Sequence, residues 1–96
     1  MDEPQTTFDW DENNTKHLAA HDVSREEFEE VFDFPRLQVE QERKRESRFW
    51  VLGRTAAGRL LTVVYTMREG MIRAVTAHTM KRKNRSLYEQ SIETQD

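Results

Sequence analysis

The sequence predicts a small α+β domain in which an antiparallel sheet packs with two N-terminal helices and one C-terminal helix, in the order β-α-α-β-β-β-β-α. Three observations predict this class. A helix-start signature occurs in the first third of the chain, apolar runs separated by turn residues follow it, and a basic segment with helical periodicity comes last. The 96 residues suffice for a single domain over 1–96, with residues 1–6 and 93–96 expected to be disordered.

The first predicted elements are a short strand, TFDW, and two helices. By the two-residue period of a strand, Phe8 and Trp10 should share a face. Asp11 is a suitable N-cap for a helix over Glu12–His21. On that helix the spacing of Asn14, His17, Leu18 and His21 predicts a shared and unusually polar stripe.

The second helix has the clearest local signature of the chain. Ser24 and Glu27 fit the capping box, in which each side chain satisfies a backbone amide at the helix start. Val23 and Phe28 have the spacing of a hydrophobic staple. Asp22 should therefore end the first helix in the left-handed conformation, and the second helix should stop before Pro35.

Four strands are predicted after Pro35, with the sequences RLQVEQE, RFWVLGRT, RLLTVVYTM and MIRAVTAHT. Gly58 and the REG sequence mark tight turns between them. The middle strands are almost continuously apolar, so both of their faces should be at least partly covered. A last helix is expected from about Thr79 to Ser91, and its inward stripe comprises Met80, Asn84, Leu87, Tyr88 and Ser91.

Composition limits the function classes. The chain has no cysteine, which excludes disulfides and thiol catalysis. No signal-like or membrane-spanning apolar run is found, so a cytoplasmic protein without membrane contact is expected. The net charge is -3, but residues 1–48 carry seven Lys/Arg and fourteen Asp/Glu, whereas residues 49–96 carry eight and four. This asymmetry predicts a basic surface on an acidic protein. The alternative is that the charges simply coat a small domain.

Few residue patterns suggest chemistry. His17 and His21 have the i, i+4 spacing that lets two imidazoles share a metal, which leaves a metal-dependent hydrolase as an alternative. No H-E-x-x-H pattern or third ligand accompanies them, so we predict no metal site and no cofactor. The strongest signal is the segment from Arg73 to Arg85, where cations stand at the predicted start of a helix. The helix dipole disfavours cations there, which favours a bound phosphate over a merely solvated face.

Cleavage of RNA without a metal needs a base for the ribose 2′-OH, cations for the phosphorane charge and an acid for the leaving oxygen. The sequence RKRESRF places Arg43, Lys44, Arg45 and Arg48 around Glu46. These residues, with His78, could supply the required groups. The alternative is a solvated surface with weak salt bridges.

Three stretches together resemble the BrnT family of bacterial toxins over about residues 8–90: FDWDENNTKHLAAHDVSREEFEEVF, RFWVLGRTAAGRLLTVVYT and IRAVTAHTMKRKNRSLYEQ. The resemblance implies a RelE-like ribonuclease fold that cleaves RNA without metal or cofactor and arrests translation. It also implies a BrnA-type antitoxin with a ribbon-helix-helix part, through which alone the complex would bind DNA.

The chain departs from the family pattern at three places. Asp22 replaces a glycine, and Lys44-Arg45 replaces Tyr-Gly before Glu46. His78 replaces the arginine of a Ser/Thr-Ala-Arg sequence, and a histidine carries that charge only when protonated. The alternative function is therefore a catalytically decayed module that binds RNA or the antitoxin.

The expected sites follow from the resemblance and the charges together. Glu46 is expected to be the general base, with Arg48 and His78 at the phosphate. The residues expected to contact the RNA backbone are Arg54, Arg73, Lys81, Arg82 and Arg85.

Overall fold

The computed structural model describes residues 6–42 and 46–93. Residues 1–5 and 94–96, where disorder is expected, and Arg43, Lys44 and Arg45 lie outside these ranges. The described chain folds into helices and strands in the order α1 (Glu12–Ala19), α2 (Arg25–Glu30), β1 (Leu37–Gln41), β2 (Arg48–Arg54), β3 (Leu60–Arg68), β4 (Met71–Thr79) and α3 (Arg82–Glu93). None of its helices is long and apolar enough to cross a membrane.

The four strands form an antiparallel sheet in the order β1-β2-β3-β4, which confirms the predicted α+β class. The prediction of a strand at TFDW is wrong, because this segment makes only one parallel bridge, between Phe8 and Ile72. The Asp9 amide donates to the Ile72 carbonyl oxygen at 2.8 Å, and the Ile72 amide donates to Thr7 at 2.8 Å. Asp11 then caps α1, so the extended segment is too short for a strand.

The main core lies between α1, α2 and one face of the sheet. Phe28 and Val31 are fully buried against Val51 and Val63, and partly buried aromatic side chains pack around them. Phe8 and Trp10 both pack edge-on against Phe28, with ring centres 6.2 and 5.4 Å away. The prediction that Phe8 and Trp10 share a face is therefore confirmed.

The opposite face of the sheet carries α3. Val64 points to this face and is buried, as are Met80 and Tyr88, so both faces of β3 are covered as predicted. The last helix begins at Arg82 rather than Thr79, because β4 continues through Thr79 and the Met80 amide still donates to Leu60. Leu87, predicted to face inward, is instead 52% exposed.

The junction between α1 and α2 has the predicted caps, but α1 ends at Ala19 and not at the expected His21. Asp11 and Ser24 each cap a helix in a capping box, with Asn14 and Glu27 as the reciprocal partners. Asp22 has a φ of 58°, the left-handed conformation predicted for it. Two caps and one left-handed residue therefore turn the chain sharply without a linker.

The N-terminal segment is attached to β4 by ion pairs as well as by the bridge. Arg73 Nη2 donates to Asp11 Oδ2 at 2.6 Å, and Arg73 Nη1 lies 3.4 Å from Asp9 Oδ2. The Asn14 amide and then Arg73 lower the pKa of Asp11, and hydrogen bonding to Asp11 raises the pKa of Arg73. These contacts join the start of α1 to the edge of the sheet.

We expect Gly53→Ala to destabilise the fold. A Cβ at Gly53 would lie 2.6 Å from Cγ1 of Val31, which is fully buried and stiff. Overpacking of this kind costs about 1–3 kcal/mol in the free energy of unfolding, measurable by urea denaturation. The cost should shrink in a Val31→Ala background, and equal costs in both backgrounds would contradict the proposed clash.

We expect Asp11→Asn to reduce stability at neutral pH but not at low pH. Asparagine keeps the N-cap but loses the charge that pairs with Arg73. Because folding lowers the pKa of Asp11, its stabilising contribution is present above the ordinary Asp value and is lost as the pH falls through the lowered pKa. Urea denaturation across this range should show the two proteins converging in acid, and a constant difference would contradict the ion-pair role.

Candidate active site

All three histidines of the chain lie in one row along the contact between α1 and β4. The ring centres of His17 and His21 are 5.8 Å apart, and those of His21 and His78 are 6.4 Å apart. His17 and His21 come from α1 and the turn after it, and His78 comes from the last part of β4. The packing of α1 on β4 therefore creates a cluster that the sequence does not show.

The local sequence explains why these imidazoles face outward. On the predicted polar stripe, Leu18 is buried in the core, and the buried Asn14 caps α1. The Asn14 side chain also donates to the Asp9 carbonyl oxygen at 3.0 Å. His17 and His21 are exposed. Over residues 6–42 and 46–93, no group of three or more His, Cys, Asp or Glu is arranged to hold a metal.

A backbone contact orients the His78 ring. Its Nδ1 lies 3.0 Å from the Thr79 carbonyl oxygen. A carbonyl oxygen can only accept, so this hydrogen bond requires the proton on Nδ1. In the neutral imidazole, Nε2 then carries the free lone pair. His78 is therefore arranged to accept a proton at Nε2.

Arg59 connects the two segments that carry His21 and His78. Its Nη1 donates to the Asp22 carbonyl oxygen at 2.6 Å and to Glu27 Oε2 at 3.0 Å. Its Nη2 lies 3.3 Å from Thr79 Oγ1. Asp22 follows His21 and Thr79 follows His78, so one guanidinium links the residues that follow the two histidines.

The structure does not bring Glu46 and Arg48 near His78. His78 is paired with Thr62, whereas Glu46 lies beside Thr66 and Arg73 at the opposite end of the strands. Thr62 and Thr66 are four residues apart on β3, which corresponds to about 13 Å. Glu46 and Arg48 contact each other weakly, with Oε1 3.9 Å from Nε. The buried Arg48 Nε has no hydrogen-bond partner among the described residues.

Two of the residues predicted to bind RNA are engaged inside the domain. Arg73 pairs with two carboxylates of the N-terminal segment. The Arg54 guanidinium lies 3.8 Å from the centre of the Phe34 ring and donates to the Thr55 carbonyl oxygen. Burial raises the pKa of Tyr88, and the positive charge of the nearby Arg54 lowers it by a smaller amount. Arg54 and Arg73 therefore have structural contacts that compete with a role in binding RNA.

The other three predicted residues, Lys81, Arg82 and Arg85, are exposed. Lys81 precedes α3, whereas Arg82 and Lys83 stand in its first turn, which contains no acidic residue. Lys81 and Lys83 also line an open pocket of about 360 Å³ with His78. Cations and an imidazole thus meet at one end of the sheet, as a phosphate site requires.

His21 and Arg59 are the candidate functional residues that sequence reasoning missed. The sequence patterns place His21 on a polar helical stripe and in a pair of possible metal ligands, and they give Arg59 no role. The helical spacing showed that His21 shares a face with His17, but nothing in the sequence links His21 to His78. Their proximity depends on the packing of α1 against β4.

Comparison with known families agrees with this architecture. A family model described as the ribonuclease toxin BrnT of type II toxin-antitoxin systems matches residues 10–84. No match was found among curated proteins. The matched segment begins at Trp10 and ends in the first turn of α3, so it contains the sheet and all three histidines. The chain belongs to the BrnT family of type II toxin-antitoxin ribonuclease toxins.

Proposed function

We propose that this protein is a metal-independent endoribonuclease toxin whose general base and acid are His78 and His21. The observation that carries the proposal is the pair of imidazoles with ring centres 6.4 Å apart, beside exposed cations. A hydrogen bond joins its two heavy atoms over about 2.8 Å. Two imidazoles at this separation can therefore each form a hydrogen bond to an oxygen of the same phosphate group. Imidazole also exchanges its proton near neutral pH, as acid–base catalysis requires.

The proposed reaction is transesterification within the RNA chain. His78 Nε2 accepts the proton of a ribose 2′-OH, and the 2′-oxygen attacks the adjacent phosphorus. The bond from phosphorus to the 5′-oxygen breaks, and protonated His21 donates its proton to that oxygen. The products are a 2′,3′-cyclic phosphate and a 5′-hydroxyl end, and no oxidant, metal or water is consumed.

The cations stabilise the charge that develops on the phosphorane. Lys81 stands three residues after His78, and Arg82 and Arg85 extend the basic surface along the start of α3. Donors aimed at developing charge are the usual source of such stabilisation. Arg59 acts as a positioning residue through its bonds to Asp22 and Thr79. The proposed reaction gives no step to Glu46 and Arg48, which are expected in this site from the sequence, because Glu46 lies beside Thr66, about 13 Å along β3 from the Thr62 that pairs with His78.

The family also supports the biological setting. A type II system implies a protein antitoxin that neutralises the toxin, and we infer that the partner is of the BrnA type with a ribbon-helix-helix part. DNA would be bound only through that partner. RNA cleavage in the cytoplasm, with RelE-like arrest of translation, is the corresponding cellular activity.

The second candidate function is a decayed, non-catalytic module. It is favoured by one observation, that His78 stands where the family pattern has arginine. Induced expression in a bacterial host separates the two. Growth arrest relieved by the neighbouring gene's product supports the toxin, and harmless expression of a folded protein that still binds RNA supports the module.

We expect His78→Ala and His21→Ala each to slow RNA cleavage by about 100-fold or more, because each removes one proton-transfer group. The measurement is the appearance of cyclic-phosphate ends from a purified RNA. Glu46→Ala is the control and should cleave at nearly the wild-type rate. Loss of cleavage in Glu46→Ala with normal cleavage in His21→Ala would overturn the assignment.

We expect prior treatment with EDTA to leave the rate of RNA cleavage unchanged, because every proposed step uses side chains of this chain. Cleavage is measured with and without the chelator under otherwise identical conditions. Loss of activity that returns on addition of a divalent cation would support instead the metal-dependent hydrolase at His17 and His21.

A further inference from the structure

The face of the sheet that carries α3 has an open, largely apolar groove beside His78. Its floor consists of Leu37 and Val39 from β1 and of Trp50 and Leu52 from β2. Leu87 of α3 forms the opposite wall. We call this feature the Trp50 groove. Its volume is about 360 Å³, within the usual range of a small-molecule site.

The groove exposes large apolar side chains in an otherwise charged protein. Trp50 is 41% exposed, Val39 56% and Leu87 52%. The indole is held in place, because Trp50 Nε1 donates to Gln41 Oε1 at 3.0 Å. A fixed indole beside exposed apolar side chains is a surface on which a flat aromatic ligand can stack.

The rim of the groove is cationic. His78, Lys81 and Lys83 line it, and the described lining residues include no carboxylate. Thr62 also lines it, is only 4% exposed, and has a hydroxyl with no hydrogen-bond partner among the described residues. A ligand with an aromatic part, polar edges and negative charge matches this combination.

The strand register links the groove to the proposed catalytic histidine. Leu37, Leu52, Thr62 and His78 are successive partners across the four strands, so they form one row on this face. Adjacent strands are about 4.8 Å apart, which puts Leu52 about 10 Å from His78. A nucleotide bound at His78 can therefore place a neighbouring base in the groove.

We propose that the Trp50 groove binds an unpaired RNA base next to the cleaved bond, so that the substrate is single-stranded RNA. This inference rests on the proposed function, since it deepens the same site. Bases in a duplex are stacked on one another and cannot enter the groove, whereas splayed bases stack on aromatic side chains. Lys81 and Lys83 then contact the phosphates on either side.

The test is the affinity of the full chain for a short, fluorescein-labelled 2′-O-methyl RNA of mixed sequence, measured by anisotropy. This probe lacks the attacking hydroxyl, so binding is independent of chemistry. We expect Trp50→Ala to weaken binding of the single strand about 10-fold or more and Trp50→Phe to retain most of it. Met67→Ala, an exposed apolar residue outside the groove, is the matched control and should bind normally.

Three results would overturn the inference. The first is that the Trp50→Ala variant, shown to be folded, binds the single strand as tightly as the wild type. The second is that the annealed duplex binds as tightly as the single strand. The third is that Trp50→Ala abolishes neutralisation by the antitoxin with RNA binding unchanged, which would make the groove a protein interface. If wild-type binding depends on Trp50 but His21→Ala cleaves normally, the groove stands and only the proposed catalytic pair fails.

Discussion

The candidate site depends on the hydrogen bonds that the Arg59 guanidinium makes. It joins the turn after α1, the first turn of α2 and the end of β4 through Asp22, Glu27 and Thr79. Glu27 also completes the capping box of α2. Burial acts to raise the pKa of Glu27, but the hydrogen bonds from Ser24 and Arg59 outweigh it and keep the carboxylate ionised. Because the helix cap and the ion pair share one carboxylate, the geometry of the turn is coupled to that of the sheet.

The two faces of the sheet have different roles. One face is filled by α1, α2 and the aromatic side chains around Phe28, and it supplies most of the buried apolar area. On the other face α3 buries Tyr88 but leaves Trp50 and Leu87 half-exposed. A small domain gains stability by covering apolar surface, so an uncovered apolar groove beside cations indicates a binding surface. The sheet therefore provides stability on one face and carries the proposed ligand site on the other.

Charge counts do not separate the cations that bind a ligand from those that hold the fold. Arg73 and Arg59 are bound to carboxylates, and Arg54 lies over an aromatic ring. Lys81 and Arg82 are exposed at the start of α3. The acidic N-terminal half neutralises part of the basic half within the same molecule. The excess of basic residues in the second half of the sequence is thus a poor guide to which cations are available to a ligand, because the intramolecular partner of each cation decides that.

The sequence alone determined the features that depend on residues close together in the chain. The capping boxes at Asp11 and Ser24, the left-handed Asp22 and the antiparallel strands follow from local hydrogen bonding, backbone sterics and hydrophobic periodicity. The later start of α3 and the single bridge at Phe8 were decided by pairing with distant strands. The meeting of His21 with His78 was likewise decided only by the tertiary structure. Local patterns specify which helices and strands form, but a contact between residues on different elements depends on how those elements pack.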